Sequence, residues 1–324
     1  MPSHEHLRRA LLVTLRSPER VKAYLQWALK RIAVDQLLLP ETLRRFEVQH
    51  PQFPAPRAIE SGPANKGLYV KTYSCLFDHT AFTAYKVKGS TATGDTSGAP
   101  DEARDRLSLL FSVQICPQCF FASADKNHFA FESPDPDKAN LVPSDRQTRL
   151  LTERFGEREA LARESGSTLF GESRTPRDGL AANRLAVLCA QSLYEGDPRH
   201  DPLLLRAIGR CQLSAGHLCR IADDHAGADT HRREALGTLK NAYSALQGAP
   251  AHETLYTIVR LAADLGDPAV VHEYGTEARR HYDGRLRVED PRERISLDKH
   301  LKKINAVYEE FFARRGEERH IMNI

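Results

Sequence analysis

Hydrophobic positions along this chain change their period twice. Across residues 4–46, Val21, Tyr24, Leu25, Ala28, Leu29 and Ile32 recur at three- and four-residue spacing, the stripe of a helix with one buried face. Ser17-Pro18-Glu19 reads as its start: a capping serine, proline in the first turn, then an acid at the positive end of the dipole. Pro40 closes it, and 41–46 add a further turn. Prolines and glycine then break all periodicity over 50–66, which reads as a linker. In the stretch 67–140, the segments 68–73 and 107–115 are rich in β-branched and aromatic residues and predict strands. The Gly, Ser, Thr and Pro cluster of 88–101 predicts a loop between them.

From 145 to 324 the pattern is helical again. It begins with a polar helix over 150–162 and a Gly/Ser/Pro connection over 163–178. Six periodic segments follow at 180–195, 202–222, 229–247, 251–265, 268–282 and 293–315. Breakers separate them, including Ala226-Gly227-Ala228, Gly248-Ala249-Pro250 and Gly266-Asp267-Pro268. Connections this short force antiparallel neighbours. With Gly266 as a turn glycine, Leu255, Ile258 and Ala262 fall at packing positions of a first helix, and Val271, Gly275 and Ala278 at those of a second. Ile208, Gly209 and Gln212 repeat the first-helix pattern upstream, with Ala235, Leu239 and Ala242 as its second helix after a lengthened turn. This spacing predicts a mainly α fold, a tetratricopeptide-like helical repeat with a concave surface. The last segment places Leu297, Leu301, Ile304, Tyr308, Phe311 and Phe312 on one face and reads as a helix capping the stack.

Composition narrows the function classes. In 324 residues, 41% are hydrophobic and 27% charged, which excludes wholesale disorder. A net charge of +3 gives no field that would select nucleic acid as the expected partner. No apolar run approaches the ~20 residues that span a bilayer. The segment Met1-Pro2-Ser3-His4-Glu5-His6 opens without the apolar core of a secretory signal. The expectation is therefore a cytoplasmic protein whose six cysteines are reduced thiols.

In that setting Cys116-Pro117-Gln118-Cys119 is the sharpest chemical signal, because two-residue spacing brings both thiolates onto one tetrahedral ion. Cys75 is the natural third ligand, at the end of the first strand. Three residues remain open as the fourth: Asp78 stands where a second Cys-x-x-Cys pair would end, His79 is the softer ligand one residue later, and His128 is a further option. Zinc held this way is structural, since four protein ligands leave no position for a catalytic water. Cys189, Cys211 and Cys219 lie in helices and read as core residues.

The segments Lys71-Thr72-Tyr73-Ser74-Cys75 and Val113-Gln114-Ile115-Cys116-Pro117-Gln118-Cys119-Phe120-Phe121-Ala122, with Phe82 between them, resemble the bacterial family called domain of unknown function 2225. That family carries two Cys-Pro-x-Cys knuckles, the second followed by Gly-Tyr-Ala, and then helices of tetratricopeptide type. The resemblance spans residues 66–282, and it implies metal-site roles for Cys75, Cys116 and Cys119. Two departures stand out: Asp78 replaces the second cysteine of the first knuckle, and Phe120 replaces the glycine after the second. The family implies an architecture and no reaction. The function expected from sequence is a non-enzymatic scaffold that binds a protein partner through its helical repeat. The alternatives are a nucleic-acid module using the knuckle and arginine-rich helix faces, and a zinc-dependent hydrolase. No phosphate-binding loop, nucleophile elbow or His-Glu-x-x-His motif is present in the chain.

Overall fold

The computed structural model describes residues 65, 67–78, 81–88, 102–129 and 143–316. The expected N-terminal helices (1–49) and nearly all of the expected linker (50–66) lie outside the described residues, as does His79. The described part is mainly helical, with nine α-helices and four short strands.

Strands β1 (Leu68–Ser74) and β2 (Ala81–Val87) form an antiparallel ribbon in which Tyr73 pairs with Phe82 and Leu68 with Val87. A second, two-residue ribbon joins β3 (Gln114–Ile115) to β4 (Ala122–Ser123). Between the ribbons lies helix α1 (Glu102–Leu110). One expectation is corrected here, and one strand is added. The strand predicted over 107–115 is helical up to Leu110 and extended only at Gln114 and Ile115. β1 pairs with residues 81–87, for which no strand is predicted from the sequence. Leu107, Leu109 and Leu110 pack on the third apolar cluster as a helical face, so a run that reads as strand by composition is held as helix by tertiary contact.

The helical part contains α2 (Asp145–Glu153), α3 (Phe155–Ser165), α4 (Pro176–Gly196), α5 (Pro202–Ile221), α6 (His225–Tyr243), α7 (Gly248–Asp264), α8 (Pro268–Gly284) and α9 (Pro291–Ala313). The polar helix expected over 150–162 is thus two helices that meet at Arg154. Helix starts follow the local chemistry. Ser144 and Thr175 each close a reciprocal capping box with the residue three positions on. Asp201, Asp267 and Asp290 each cap a helix whose first residue is proline.

Consecutive helices from α4 to α8 pack on one another, and α9 packs on both α7 and α8. The turns after α5 and α7 are built alike. After α7, Gly266 takes φ +72° and the Asp267 amide bonds back to the Ala262 carbonyl at 2.9 Å. After α5, Asp223 takes φ +60° and the Asp224 amide bonds back to the Cys219 carbonyl at 2.9 Å. In both, the aspartate then accepts from the first turn of the next helix. The lengthened turn expected around Gly227 is therefore absent; Gly227 lies inside α6. Aspartate at the left-handed position hides this turn from a search for glycine. Helices α5 and α6 approach closely at Gly209, where an added Cβ would stand 2.7 Å from Leu239 Cγ.

Three apolar clusters hold the described part together. One runs without a break from Tyr73 and Phe82 through the cysteine turns to Leu185 and Cys189 on α4. A second lies among α6–α9, and its α9 face holds Leu297, Leu301, Ile304, Tyr308 and Phe312 buried, as the spacing predicts. The third joins Leu68, Val87, Leu110 and Phe111 to Leu218 of α5.

Candidate metal centre

The site forms where the β1–β2 turn meets the β3–β4 turn. Each turn is closed by short-range hydrogen bonds, to sulfur in the first and between backbone groups in the second. The Phe77 amide donates to Cys75 Sγ at 3.4 Å. The Phe120 amide donates to the Cys116 carbonyl at 3.0 Å, and the Cys116 amide to the Phe121 carbonyl at 2.8 Å. The second turn places Phe120 at φ +57°, the left-handed region that favours glycine. This is the position at which the sequence resemblance leads one to expect glycine. Its ring is held in the core at 2% exposure, 5.9 Å from Phe155 of α3. Burial of a large aromatic ring offsets the backbone cost of about 1–2 kcal/mol.

Ligand atoms of Cys75, Asp78, Cys116 and Cys119 lie within 4.8 Å of one another, a group that could hold a metal ion. Cys75 Sγ is 3.6 Å from Cys119 Sγ, and Cys116 Sγ is 3.6 Å from both carboxylate oxygens of Asp78. All three cysteines are buried, and Asp78 is half-buried at the rim. The sequence-predicted Cys75, Asp78, Cys116 and Cys119 are therefore brought together. His79 lies outside the described residues. His128 is not part of the group: its Nδ1 is paired with Ser123 Oγ at 2.8 Å.

Four acids in one pocket compete for charge. Burial, reinforced by bonding to Cys116, pushes the Cys75 and Cys119 thiols well above their ordinary range. Cys116 feels the same burial, but hydrogen bonds from Cys119 and Cys75 outweigh it and bring its thiol to about 6. A thiolate at Cys116 then faces a carboxylate across 3.6 Å, an arrangement that a cation between them relieves.

The surroundings attach this centre to the helices. Cys189 of α4 accepts from the Ala122 amide at 3.3 Å. Arg158 of α3 is wholly buried; its Nε donates to the Cys119 carbonyl at 3.2 Å, and its guanidinium lies 5.7 Å from the Phe77 ring. Arg174 donates to the carbonyls of Leu110 and Val113 at 3.1 Å and stacks 5.0 Å from Phe111. Its burial lowers it to about 10. Sequence reasoning missed both arginines. Each sits among several exposed arginines with no local signal, and only the fold identifies the carbonyls that it reaches.

Residues 68–281 match the bacterial family described as "Uncharacterized protein conserved in bacteria (DUF2225)". The chain belongs to that family. The match covers the ribbon, the cysteine turns and the helices up to α8, so the whole candidate centre lies within it. No curated protein and no solved structure matches the chain. Among the described residues, no helix is long and apolar enough to cross a membrane.

Proposed function

We propose that this DUF2225 protein is a non-enzymatic scaffold: a structural zinc closes the cysteine turns, and the helical part binds a protein partner in the manner of tetratricopeptide repeats. The observation that carries the zinc assignment is two close contacts among four ligands whose atoms all lie within 4.8 Å of one another. A tetrahedral zinc with Zn–S of ~2.3 Å and Zn–O of ~2.1 Å sets sulfurs ~3.8 Å apart and sulfur from oxygen ~3.6 Å apart. Cys75–Cys119 and Cys116–Asp78 each stand at 3.6 Å. Cys75, Cys116, Cys119 and Asp78 would hold the ion, and a divalent cation would favour the thiolate forms that burial alone disfavours. A closed ligand set wired into the core through Arg158 and Cys189 suits a clamp between two turns. It offers no open coordination position for a reacting water.

The scaffold reading rests on the stacked helix pairs from α5 to α9 and on the two matching turns at Asp223 and Gly266. Metal analysis of the purified chain tests the first half: close to one zinc per chain is expected, falling by more than half in Cys116→Ser and in Asp78→Ala. Substoichiometric zinc in the unaltered, freshly purified chain sinks the metal assignment. Capture from the native host with tagged chain tests the second half. A stoichiometric protein partner is expected; recovery of the chain alone argues against a scaffold.

A further inference from the structure

A cleft of about 600 Å³ opens between α3, α4, α5 and α6, away from the cysteine turns. That volume falls within the ~300–1,000 Å³ of ordinary binding sites. Its lining has two characters. Leu161, Val187, Leu188 and Ala215 supply apolar surface. Glu157 and Glu164, two turns apart on α3, and Glu234 on α6 supply carboxylates. Against these three carboxylates stands one guanidinium, Arg184; the remaining titratable group, His231, leans on Glu234 at 3.2 Å.

Two amide side chains of the lining are held in the surrounding core. Asn183 is 1% exposed; its Nδ2 donates to the Gly179 carbonyl at 2.8 Å, which fixes the amide so that Oδ1 is the unpartnered atom. Oε1 of Gln212 is likewise buried without a hydrogen-bond partner. The cleft thus combines apolar surface with an excess of negative charge. Nucleic acid and anionic lipid headgroups present the wrong sign.

We propose that this cleft is the partner site of the scaffold and that it takes an extended peptide segment carrying a lysine or arginine. The aliphatic stem of such a residue lies on Leu161, Val187 and Leu188 while its charged head reaches Glu157, Glu164 and Glu234, the division that long cationic side chains favour. The volume exceeds one side chain, so flanking residues of the segment share it. This inference rests on the scaffold reading and names the chemistry of its partner.

The test uses the full chain and capped seven-residue peptide pools with random flanks and a central Lys, Arg, Glu or Leu, immobilised as an array. Lys and Arg pools are expected to retain the chain well above Glu and Leu pools. Neutralising the carboxylates (Glu157→Gln, Glu164→Gln and Glu234→Gln together) should weaken retention about fivefold to tenfold, the sum of three exposed ion pairs. All three residues are exposed, so the variant keeps its core; an unchanged far-ultraviolet spectrum checks this. Arg184→Gln is expected to leave retention equal or stronger. Equal retention across the pools, no retention by any pool, or indifference to the triple substitution overturns the proposal. If the host partner is captured equally by the triple variant, the cleft assignment falls and the scaffold reading stands. If neither form captures a partner, the scaffold reading falls as well.

Discussion

Substituting Gly209 by alanine tests whether α5 and α6 are held as close as the structure has them, and Gly237 supplies the control. Both glycines lie inside these two helices, so each substitution gains about 1 kcal/mol from helix propensity alone. Their surroundings differ. A methyl on Gly209 would stand 2.7 and 2.8 Å from Leu239 Cγ and Cδ2, with the Ala235 carbonyl at 3.5 Å, whereas one on Gly237 meets nothing within 4 Å. Leu239 is 1% exposed and has no room to withdraw. Overpacking of this kind costs about 1–3 kcal/mol, which exceeds the propensity gain. Gly209→Ala should therefore destabilise by about 1 kcal/mol and Gly237→Ala should stabilise by nearly as much, a separation of about 2 kcal/mol. Urea unfolding followed by circular dichroism reads this as opposite shifts in midpoint with similar slopes. The same shift from both variants would refute the close approach, and with it the shape of the cleft that Gln212, Ala215, His231 and Glu234 line.

Two further outcomes follow from strain and burial. Phe120 carries a large buried ring on a left-handed backbone, so Phe120→Ala and Phe120→Gly both lose the ring, at about 3–5 kcal/mol. Glycine also relieves the backbone, so Phe120→Gly should be the more stable variant by about 1 kcal/mol in thermal unfolding; the opposite order would place no strain at this turn. His252 of α7 is held at about 4 by burial and by repulsion from His281 and His300. A depressed histidine contributes stability that is full above the unfolded value of about 6.5 and lost as pH falls toward 4, on the order of 2 kcal/mol. Unfolding midpoints between pH 7 and 4 should fall in the native chain and fall less in His252→Gln; parallel curves would remove His252 from the account.

The helices were legible because each carries its own instructions. Capping aspartates followed by proline, and apolar positions at 3.6-residue spacing, act within one segment. The α9 face, for example, is buried where the spacing puts it, with Phe311 alone left half-buried. The three cysteines were also legible as candidates, because metal chemistry restricts which residue types can converge, whereas Asp78 was one of three residues open for the fourth position and only the fold groups it with them. The strand predicted over 107–115 failed for the opposite reason: β-branched and aromatic composition fits any buried apolar surface, and packing against Val87, Phe111 and Leu218 selected the helix up to Leu110.

Other features belong to tertiary structure alone. Asp223 hides a turn that the Gly266 turn repeats, since a left-handed aspartate looks like any surface aspartate in sequence. Arg158 and Arg174 carry no local pattern, and their roles exist only because distant backbone carbonyls of Cys119, Leu110 and Val113 lie within reach. The sequence by itself determined the helices from α4 onward and the residue types that could converge on a metal, because both depend on near neighbours in the chain. The fold decided which acceptors are left unpaired, where carboxylates converge on a cleft and which cations are buried. Those properties depend on desolvation, and desolvation is set by what lies across the core.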